Sequence, residues 1–201
     1  QRTLEYEQAT SITDGWLHKA LGVSRNEGAG QGHNGEADYQ HMDLIRDKLL
    51  TYNYDEVYRE YDGGVPGMTN TSAALISQRI NDGVSMINYC NHGSETGWSV
   101  ANYSANNVNS LTNVDRLPFI WAVACVNGHF VDMTCFAETW MRATHNGNPS
   151  GALVTMMSTI NQSWTPPMDA QDEFNDIIIG TYENKILRTF GGIGMNGCYK
   201  M

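Results

Sequence analysis

The stretch of residues 117–130, LPFIWAVACVNGHF, constrains the fold of this chain more than any other. Its apolar run, residues 119–124, is typical of a strand buried on both faces, as the central strands of a parallel sheet are. The run ends at Cys125, so a thiol stands at the carboxyl end of a predicted central strand. Open α/β sheets carry their binding and catalytic groups at that edge. The sequence therefore predicts that Cys125 lies at a functional edge of a sheet.

A second stretch has the same form and adds an imidazole. Residues 83–89, GVSMINY, predict another buried strand, which runs into residues 90–93, CNHG. If the two strands are neighbours, His92 and Cys125 emerge side by side, and a thiol beside an imidazole is the minimum equipment of a cysteine nucleophile. His92 would then protonate a leaving amine. The backbone amides of Gly93 and Cys125 would form an oxyanion hole.

An orienting carboxylate for the imidazole has several candidates in the sequence. A catalytic histidine needs a third group that fixes the orientation of its ring. The candidates are four acidic residues: Glu27, Glu36, Asp38 and Glu95. Spacing alone does not choose among them.

Predicted strands and helices alternate along the chain. The predicted strands cover residues 18–24, 56–61, 83–89, 119–124 and 151–158. The predicted helices cover residues 36–50, 135–144 and 169–180, with a further helix capped by Thr69 or Asn70 and ending at Ile80. A loop is predicted at residues 159–168, and the glycine-rich tail of residues 190–201 shows no clear period. This alternation predicts an α/β fold with a mostly parallel sheet and helices on both faces.

Composition excludes several classes of function. The chain of 201 residues is long enough for one domain with a large core. Its 12 Lys and Arg against 22 Asp and Glu give a net charge of −10 without a basic cluster, which argues against nucleic-acid binding. No apolar run approaches the roughly 20 residues that cross a bilayer, so no membrane span is expected.

The cysteines do not indicate a structural metal site. Four cysteines occur without a Cys-x-x-Cys pair, so a zinc site is not expected. Cys90, His92 and Cys125 would in principle hold a metal ion, although packing is the favoured role for Cys90. The metal ligands therefore stay unassigned.

One rival interpretation is a dinucleotide site. Residues 30–35, GQGHNG, match G-x-G-x-x-G, and Asp55 and Glu56 follow about 20 residues later, as such a site requires. Several polar residues separate the glycines from the first predicted strand, whereas the true motif opens directly from its strand. The thiol interpretation is therefore favoured.

Four segments resemble one peptidase family, the gingipains, which are secreted cysteine endopeptidases with a caspase-like fold. The segments are YCNHGSETGW at 89–98, LPFIWAVACVNG at 117–128, STINQSW at 158–164 and RTFGGIGMNG at 188–197. The resemblance runs over essentially the whole chain and is closer to the arginine-specific branch than to the lysine-specific one. It implies a caspase-like three-layer αβα sandwich.

The resemblance also implies roles for the catalytic residues. Cys125 would be the nucleophile, His92 the general base and acid, and Glu27 the residue that orients the imidazole. Protein or peptide substrates with arginine would be cleaved through an acyl-enzyme. The alternative is a catalytically inactive caspase-like binding module of a larger secreted protein, which the intact set of Glu27, His92 and Cys125 disfavours.

A specificity pocket follows from the same resemblance. Asp38 would form its floor, Trp164 and Met168 would form its walls, and Val123 would lie near its rim. A carboxylate in a largely apolar slot suits a guanidinium, which it binds through two parallel hydrogen bonds. Asn91 departs from the family pattern, which usually has glycine before the histidine, and would alter the width of this pocket.

The resemblance finally suggests what accompanies this chain. Residues 1–201 would form a single domain, the catalytic subdomain, with the amino-terminal subdomain and the carboxyl-terminal extension absent. A missing amino-terminal subdomain or a partner chain would complete the protein. Catalysis would need no cofactor, a structural calcium ion would be bound, and the protein would be secreted or attached to the cell surface.

Overall fold

The protein has a mixed α/β fold built around one parallel sheet. The computed structural model describes residues 2–180 and 189–201. In chain order, the strands are β1 Lys19–Arg25, β2 Glu56–Asp62, β3 Met86–Cys90, β4 Gly93–Ser94, β5 Gly97–Trp98, β6 Phe119–Val123, β7 Thr144–His145, β8 Asn148–Pro149 and β9 Val154–Met156. The central sheet has the order β2-β1-β3-β6-β9, and each of its pairings is parallel. The pairs β4–β5 and β7–β8 are small antiparallel hairpins.

Helices cover the two faces of this sheet. They are α1 Arg2–Ala9, α2 Asp38–Tyr52, α3 Ala73–Asp82, α4 Ala105–Asn109, α5 Phe136–Arg142, α6 Thr165–Ile178 and α7 Phe190–Lys200. Short 3₁₀ turns lie at Gly15–His18 and Val100–Asn102. Helices α3, α4 and α5 contribute to one hydrophobic core, and α2, α6 and α7 contribute to a second.

The alternation of side chains along β3 shows why a strand of this kind is apolar throughout. Ile87 and Tyr89 enter the core under α3 to α5, whereas Met86 and Cys90 enter the core under α2 and α6. All five residues of β3 are buried. A parallel sheet covered on both faces requires this pattern, and the predicted fold class is confirmed.

Most element boundaries differ by a few residues from the sequence prediction, and the strand predicted over residues 151–158 is limited to Val154–Met156. Two differences at helix starts have a physical reason. The first turn of α6 takes in two prolines, so this helix begins at Thr165 rather than at residue 169, because proline is favoured where a helical N–H has no partner. The cap of α3 is Ser72, whose Oγ accepts a hydrogen bond from the Leu75 N–H at 3.2 Å. Thr69 and Asn70 lie before it and do not cap the helix.

The glycine-rich tail is a helix, although its sequence shows no period. Glycine lowers helix propensity by about 1 kcal/mol per residue, but at Gly197 its small size is needed because a Cβ there would overlap the ring of Phe174. Close packing of α7 on α6 therefore explains the glycine at position 197. Among the described residues, no helix has the length and apolar character needed to cross a membrane.

Candidate active site

The two chemical groups singled out in the sequence meet at the carboxyl edge of the sheet. Strands β3 and β6 are neighbours, with Cys90 opposite Val123 in register. His92 and Cys125 each lie two residues beyond these paired positions, and both line the same cavity of about 90 Å³. The prediction that the two strands are neighbours is confirmed.

His92 is held by a carboxylate from a third strand end. Its Nε2 lies 3.2 Å from Oε1 of Glu27, which follows the carboxyl end of β1. The imidazole also makes an edge contact with Trp164, at 5.3 Å between ring centroids. If Nε2–H donates to Glu27, the tautomer leaves Nδ1 free to exchange a proton at the cavity. This geometry fits an orienting role for Glu27.

The other three carboxylate candidates have different contacts. Glu36 lies 3.8 Å from the buried His41. Asp38 is bound by Asn91 rather than by the imidazole. The backbone carbonyl of Glu95 accepts a hydrogen bond from the start of α5 at 2.7 Å. Glu27 is therefore the candidate whose carboxylate reaches His92.

The turn that carries Cys125 is tied to the loop between β9 and α6. The Gln162 N–H points at Cys125 Sγ at 3.4 Å, and Gln162 Oε1 accepts from the Ala124 N–H at 3.1 Å. The next residue, Val126, has φ +47°, a conformation that is strained for a β-branched residue. The partly exposed thiol is thus fixed by a strained turn and by contacts from Gln162.

Asn127 joins this turn to the hairpin that follows His92. Its Nδ2 donates to the carbonyls of Ser94 at 2.6 Å and Gly97 at 3.1 Å, and its Oδ1 accepts from the Trp98 indole N–H at 3.0 Å. The side chain is fully buried. Asn127 therefore connects the segment carrying the thiol to the segment carrying the imidazole.

Gly93 lies directly against the thiol segment. A Cβ at this position would come within 2.7 Å of Asn127 Nδ2, 2.9 Å of Ala124 Cβ and 3.0 Å of the Cys125 carbonyl oxygen. Glycine is therefore required for the two loops to approach this closely. The oxyanion hole from the Gly93 and Cys125 amides stays a prediction, and this proximity is compatible with it.

Asp38 is buried beneath the edge, at the start of α2. Its backbone N–H donates to the Glu27 carbonyl at 3.0 Å, and its Oδ2 accepts from Asn91 Nδ2 at 2.7 Å. The carboxylate packs against Gly28, where a Cβ would overlap Oδ1. The pKa of Asp38 is raised to about 7, chiefly by burial, with the hydrogen bond from Asn91 opposing the rise and the charge of Glu27 adding to it.

The four predicted pocket residues are placed at different depths. Val123 and Trp164 line the cavity together with His92 and Cys125. Met168 is fully buried in α6 within the hydrophobic core, and Asp38 lies behind Asn91. The described residues therefore show a cavity that ends at Asn91, with Asp38 and Met168 beyond its lining.

The dinucleotide interpretation is wrong. The glycine loop follows the carboxyl end of β1, whereas Glu56 opens β2 and pairs with Lys19 at the amino end of β1. Because β1 and β2 are parallel, the glycines and the acidic residues lie at opposite edges of the sheet. A single nucleotide cannot use both.

A metal site has no support in the part of the chain that the structure describes. No three His, Cys, Asp or Glu side chains there are grouped so as to hold a metal ion. Cys90 is fully buried, and burial raises the pKa of its thiol well above the ordinary value, so packing is its role. The described His, Cys, Asp and Glu side chains therefore form no calcium site between them, and the expected calcium ion stays a prediction.

Comparisons with known proteins agree with the fold. The family model for peptidase family C25 matches residues 1–201. Gingipain R2 of Porphyromonas gingivalis is 44% identical over 201 residues, covering the whole of this chain and 26% of that protein. The Lys-gingipain of the same species is 29% identical over 166 residues, 81% of this chain and 9% of that protein.

The structural comparison gives the same relationship. The crystal structure of the Arg-specific cysteine proteinase gingipain R superposes with a TM-score of 0.92 at 43% sequence identity, covering 99% of this chain and 45% of that one. The chain thus spans about a quarter of gingipain R2 and under half of the solved chain. The higher identity to gingipain R2 than to the Lys-gingipain confirms the predicted branch. The chain belongs to peptidase family C25.

Proposed function

We propose that this chain carries the catalytic centre of a cysteine endopeptidase that cleaves peptide bonds after arginine. The observation that carries the proposal is the placement of Cys125 and His92 on one cavity at the carboxyl edge of the sheet. Membership of peptidase family C25 and the similarity to gingipain R support the choice of reaction and of substrate.

The reaction is an acyl transfer through a thioester. His92 takes the proton of the Cys125 thiol, and Sγ attacks the carbonyl carbon of the scissile peptide bond. The C–N bond breaks as His92 returns that proton to the leaving amine. Water then attacks the thioester with His92 as base, which releases a carboxylic acid and restores the thiol. Amides of Gly93 and Cys125 would stabilise the oxyanion in both steps.

Specificity for arginine is assigned to Asp38. A buried carboxylate attracts a guanidinium strongly because few other groups neutralise it, and Trp164 and Val123 offer apolar surface for the methylene stem. Met168 supports the same region from within α6. Truncating one partner of such a buried charge pair costs about 2–5 kcal/mol, so Asp38 would dominate the preference.

A panel of peptides differing only at the residue before the scissile bond tests this function. The panel contains arginine, lysine and citrulline peptides, and cleavage is followed by mass spectrometry. We expect the protein to cleave the arginine peptide best and the Cys125→Ala variant to cleave none, with its melting temperature nearly unchanged. Cys198 offers a matched control, because it is an exposed cysteine on α7 and Cys198→Ala should retain full activity.

Two results would overturn the proposal. Turnover that survives in Cys125→Ala would remove the nucleophile. A correctly folded wild-type protein that cleaves no peptide in the panel would favour the inactive binding module instead.

The surroundings of this domain form part of the same proposal. An amino-terminal subdomain or a partner chain is proposed from the family resemblance and from the similarity to a solved complex of RgpB pro- and mature domains. A secreted or surface location and a structural calcium ion are proposed from the family resemblance. Nothing in the mechanism above uses that ion.

A further inference from the structure

Asn91 stands between the cavity and the carboxylate assigned to specificity. Its side chain lines the cavity together with His92 and Cys125. Its Nδ2 donates to Asp38 Oδ2 at 2.7 Å, and Asp38 itself is completely shielded from solvent. A substrate side chain entering the cavity therefore meets the amide of Asn91 before it meets the carboxylate.

The amide is fixed from its other side as well. Asn91 Oδ1 accepts from the Ser99 hydroxyl at 2.6 Å, and Nδ2 also lies 3.4 Å from Glu27 Oε2. The Asn91 backbone N–H donates to the Val123 carbonyl at 3.2 Å. These contacts hold the side chain over Asp38 without help from a substrate.

One carboxylate oxygen of Asp38 remains available to a cation. Among the described residues, its buried Oδ1 has no hydrogen-bond partner. A guanidinium could satisfy both carboxylate oxygens at once, but Asn91 already occupies Oδ2. The cavity of about 90 Å³ is also well below the roughly 300 Å³ at which ligand pockets begin. A long side chain therefore needs more room than this arrangement gives.

We propose that Asn91 is a specificity-determining residue: its amide covers Asp38, and a cationic substrate side chain must displace it to reach the carboxylate. The inference rests on the proposed function, which supplies the cationic substrate. Its consequence is a weaker preference for arginine over neutral side chains than Asp38 would give without Asn91. A neutral side chain that stops above Asn91 leaves the Asn91–Asp38 and Ser99–Asn91 hydrogen bonds intact, whereas a cationic side chain must break them.

Binding of agmatine, a guanidinium compound without a reactive carbonyl, tests the inference independently of catalysis. Titration calorimetry is done on Cys125→Ala and on the same variant with Asn91→Gly or Asn91→Ser. Because a typical hydrogen bond contributes about 1 kcal/mol net, we expect the additional substitution to tighten the Kd for agmatine roughly fivefold to tenfold. An unchanged or weaker Kd in both Asn91 variants would overturn the inference.

A double-substitution cycle identifies Asp38 as the group that is covered. In the Asp38→Asn background, Asn91→Gly should change agmatine affinity less than about twofold, since the covered charge is gone. An equal gain in both backgrounds would show that the substitution merely enlarges the cavity, and would overturn the inference.

Kinetics on the active protein separate this role from a structural one. Asn91→Gly should lower KM for the arginine peptide by the same factor as the agmatine Kd and leave kcat within about twofold. The rate of Cys125 alkylation by iodoacetamide, which needs no specificity pocket, should be unchanged. Alkylation slowed more than about threefold would assign Asn91 to support of the catalytic edge and contradict the proposal. A failure of the proposed function looks different: all variants would be inactive while agmatine affinities still follow the cycle.

Discussion

At the scale of single residues, the hydrogen bond between Glu27 and His92 is the contact that we expect to affect the rate of the proposed peptide cleavage most directly. Side chains of both residues are more than two-fifths exposed, so the pair contributes about 0–1 kcal/mol to folding. The proposed role of this hydrogen bond is to fix the orientation and the tautomer of the imidazole ring. Glu27 is therefore expected to matter for rate much more than for stability.

Replacing Glu27 with glutamine tests that separation. We expect kcat/KM on the arginine peptide to fall roughly tenfold, because the imidazole ring keeps its position but loses its charged hydrogen-bond acceptor. For His92→Ala we expect a larger fall in kcat/KM, of about 10²- to 10⁴-fold. The melting temperature should stay nearly constant. Activity equal to that of the wild type would remove Glu27 from the catalytic set.

If Asp38 binds the arginine side chain as proposed, its raised pKa should make selectivity depend on pH. Burial raises its pKa to about 7, so the carboxyl is largely neutral at pH 6 and largely ionised at pH 8. The ratio of kcat/KM for arginine over citrulline peptides should therefore rise roughly tenfold from pH 6 to pH 8, and taking the ratio cancels the titration of the catalytic pair. In Asp38→Asn the ratio should be low and flat. A wild-type ratio that does not change would contradict the assignment.

The same raised pKa has a consequence for folding. An unfolded aspartate ionises near 3.9, so protonated Asp38 favours the folded state. Its contribution to stability is full below about pH 4 and is lost as the pH rises through about 7. The stability of Asp38→Asn, measured by denaturant unfolding, should not show this loss with rising pH. The same measurement checks that the variant is folded, so weaker arginine cleavage by it would not come from unfolding.

Residue identity alone predicts some of these roles and misses others. Cys125 and His92 are predictable because each lies at or shortly after the end of a predicted buried strand, Cys125 directly after residues 119–124 and His92 three residues after Tyr89. Asn91 stands out only by its departure from the family pattern, and Asn127 gives no signal, because asparagine in a turn is expected for its backbone preferences. Their actual contacts, to Asp38 and to the hairpin β4–β5, join segments 53 and about 30 residues apart, which no local pattern encodes.

At the scale of secondary structure elements, the proposed catalytic edge depends on how the turn after β6 is held to the hairpin β4–β5. Asn127 supplies three hydrogen bonds between the turn after β6 and the hairpin β4–β5. Removing its side chain leaves the buried Trp98 N–H and two carbonyls without that partner. Each buried group left unsatisfied costs about 1–3 kcal/mol.

We expect Asn127→Ala to lower stability by roughly 2–4 kcal/mol and to reduce kcat on the arginine peptide, since the thiol and imidazole segments lose their tie. Urea unfolding and steady-state kinetics measure the two effects. Asn109→Ala on α4 is the control, because Asn109 is exposed and its replacement should change neither quantity. A stable and fully active Asn127→Ala would show that the loops are held by other contacts.

Elements differ in how far their sequence predicts them. Helix α2 is predictable because Met42, Ile45 and Leu49 recur at helical spacing, and all three are buried as that spacing requires. Helix α7 is not predictable, because its glycines weaken the local signal, and the contact with α6 that requires glycine at Gly197 cannot be read from the sequence. Tertiary packing outweighs propensity in that case.

At the scale of the whole molecule, a parallel sheet gathers chemistry from segments far apart in the chain. Glu27 follows β1, His92 follows β3 and Cys125 follows β6, and these three strands are adjacent in the sheet. Parallel pairing brings the three residues together, because the carboxyl ends of all three strands lie at the same edge of the sheet. Alternating strands and helices are therefore enough to predict the fold class and that Glu27, His92 and Cys125 meet at one edge of the sheet. The contacts of Asn91 depend on loops far apart in the chain, which such a pattern does not predict.

Covalent labelling by an arginyl chloromethylketone tests the central claim most directly, because the reagent needs a guanidinium site beside an activated thiol. Peptide mapping by mass spectrometry should find one adduct per chain, on Cys125, with labelling slowed strongly in His92→Ala and suppressed by excess agmatine. Cys90, Cys135 and Cys198 should stay unmodified. A protein that is folded yet acquires no adduct, or acquires it on another cysteine, would contradict the claim that Cys125 and His92 form the catalytic centre.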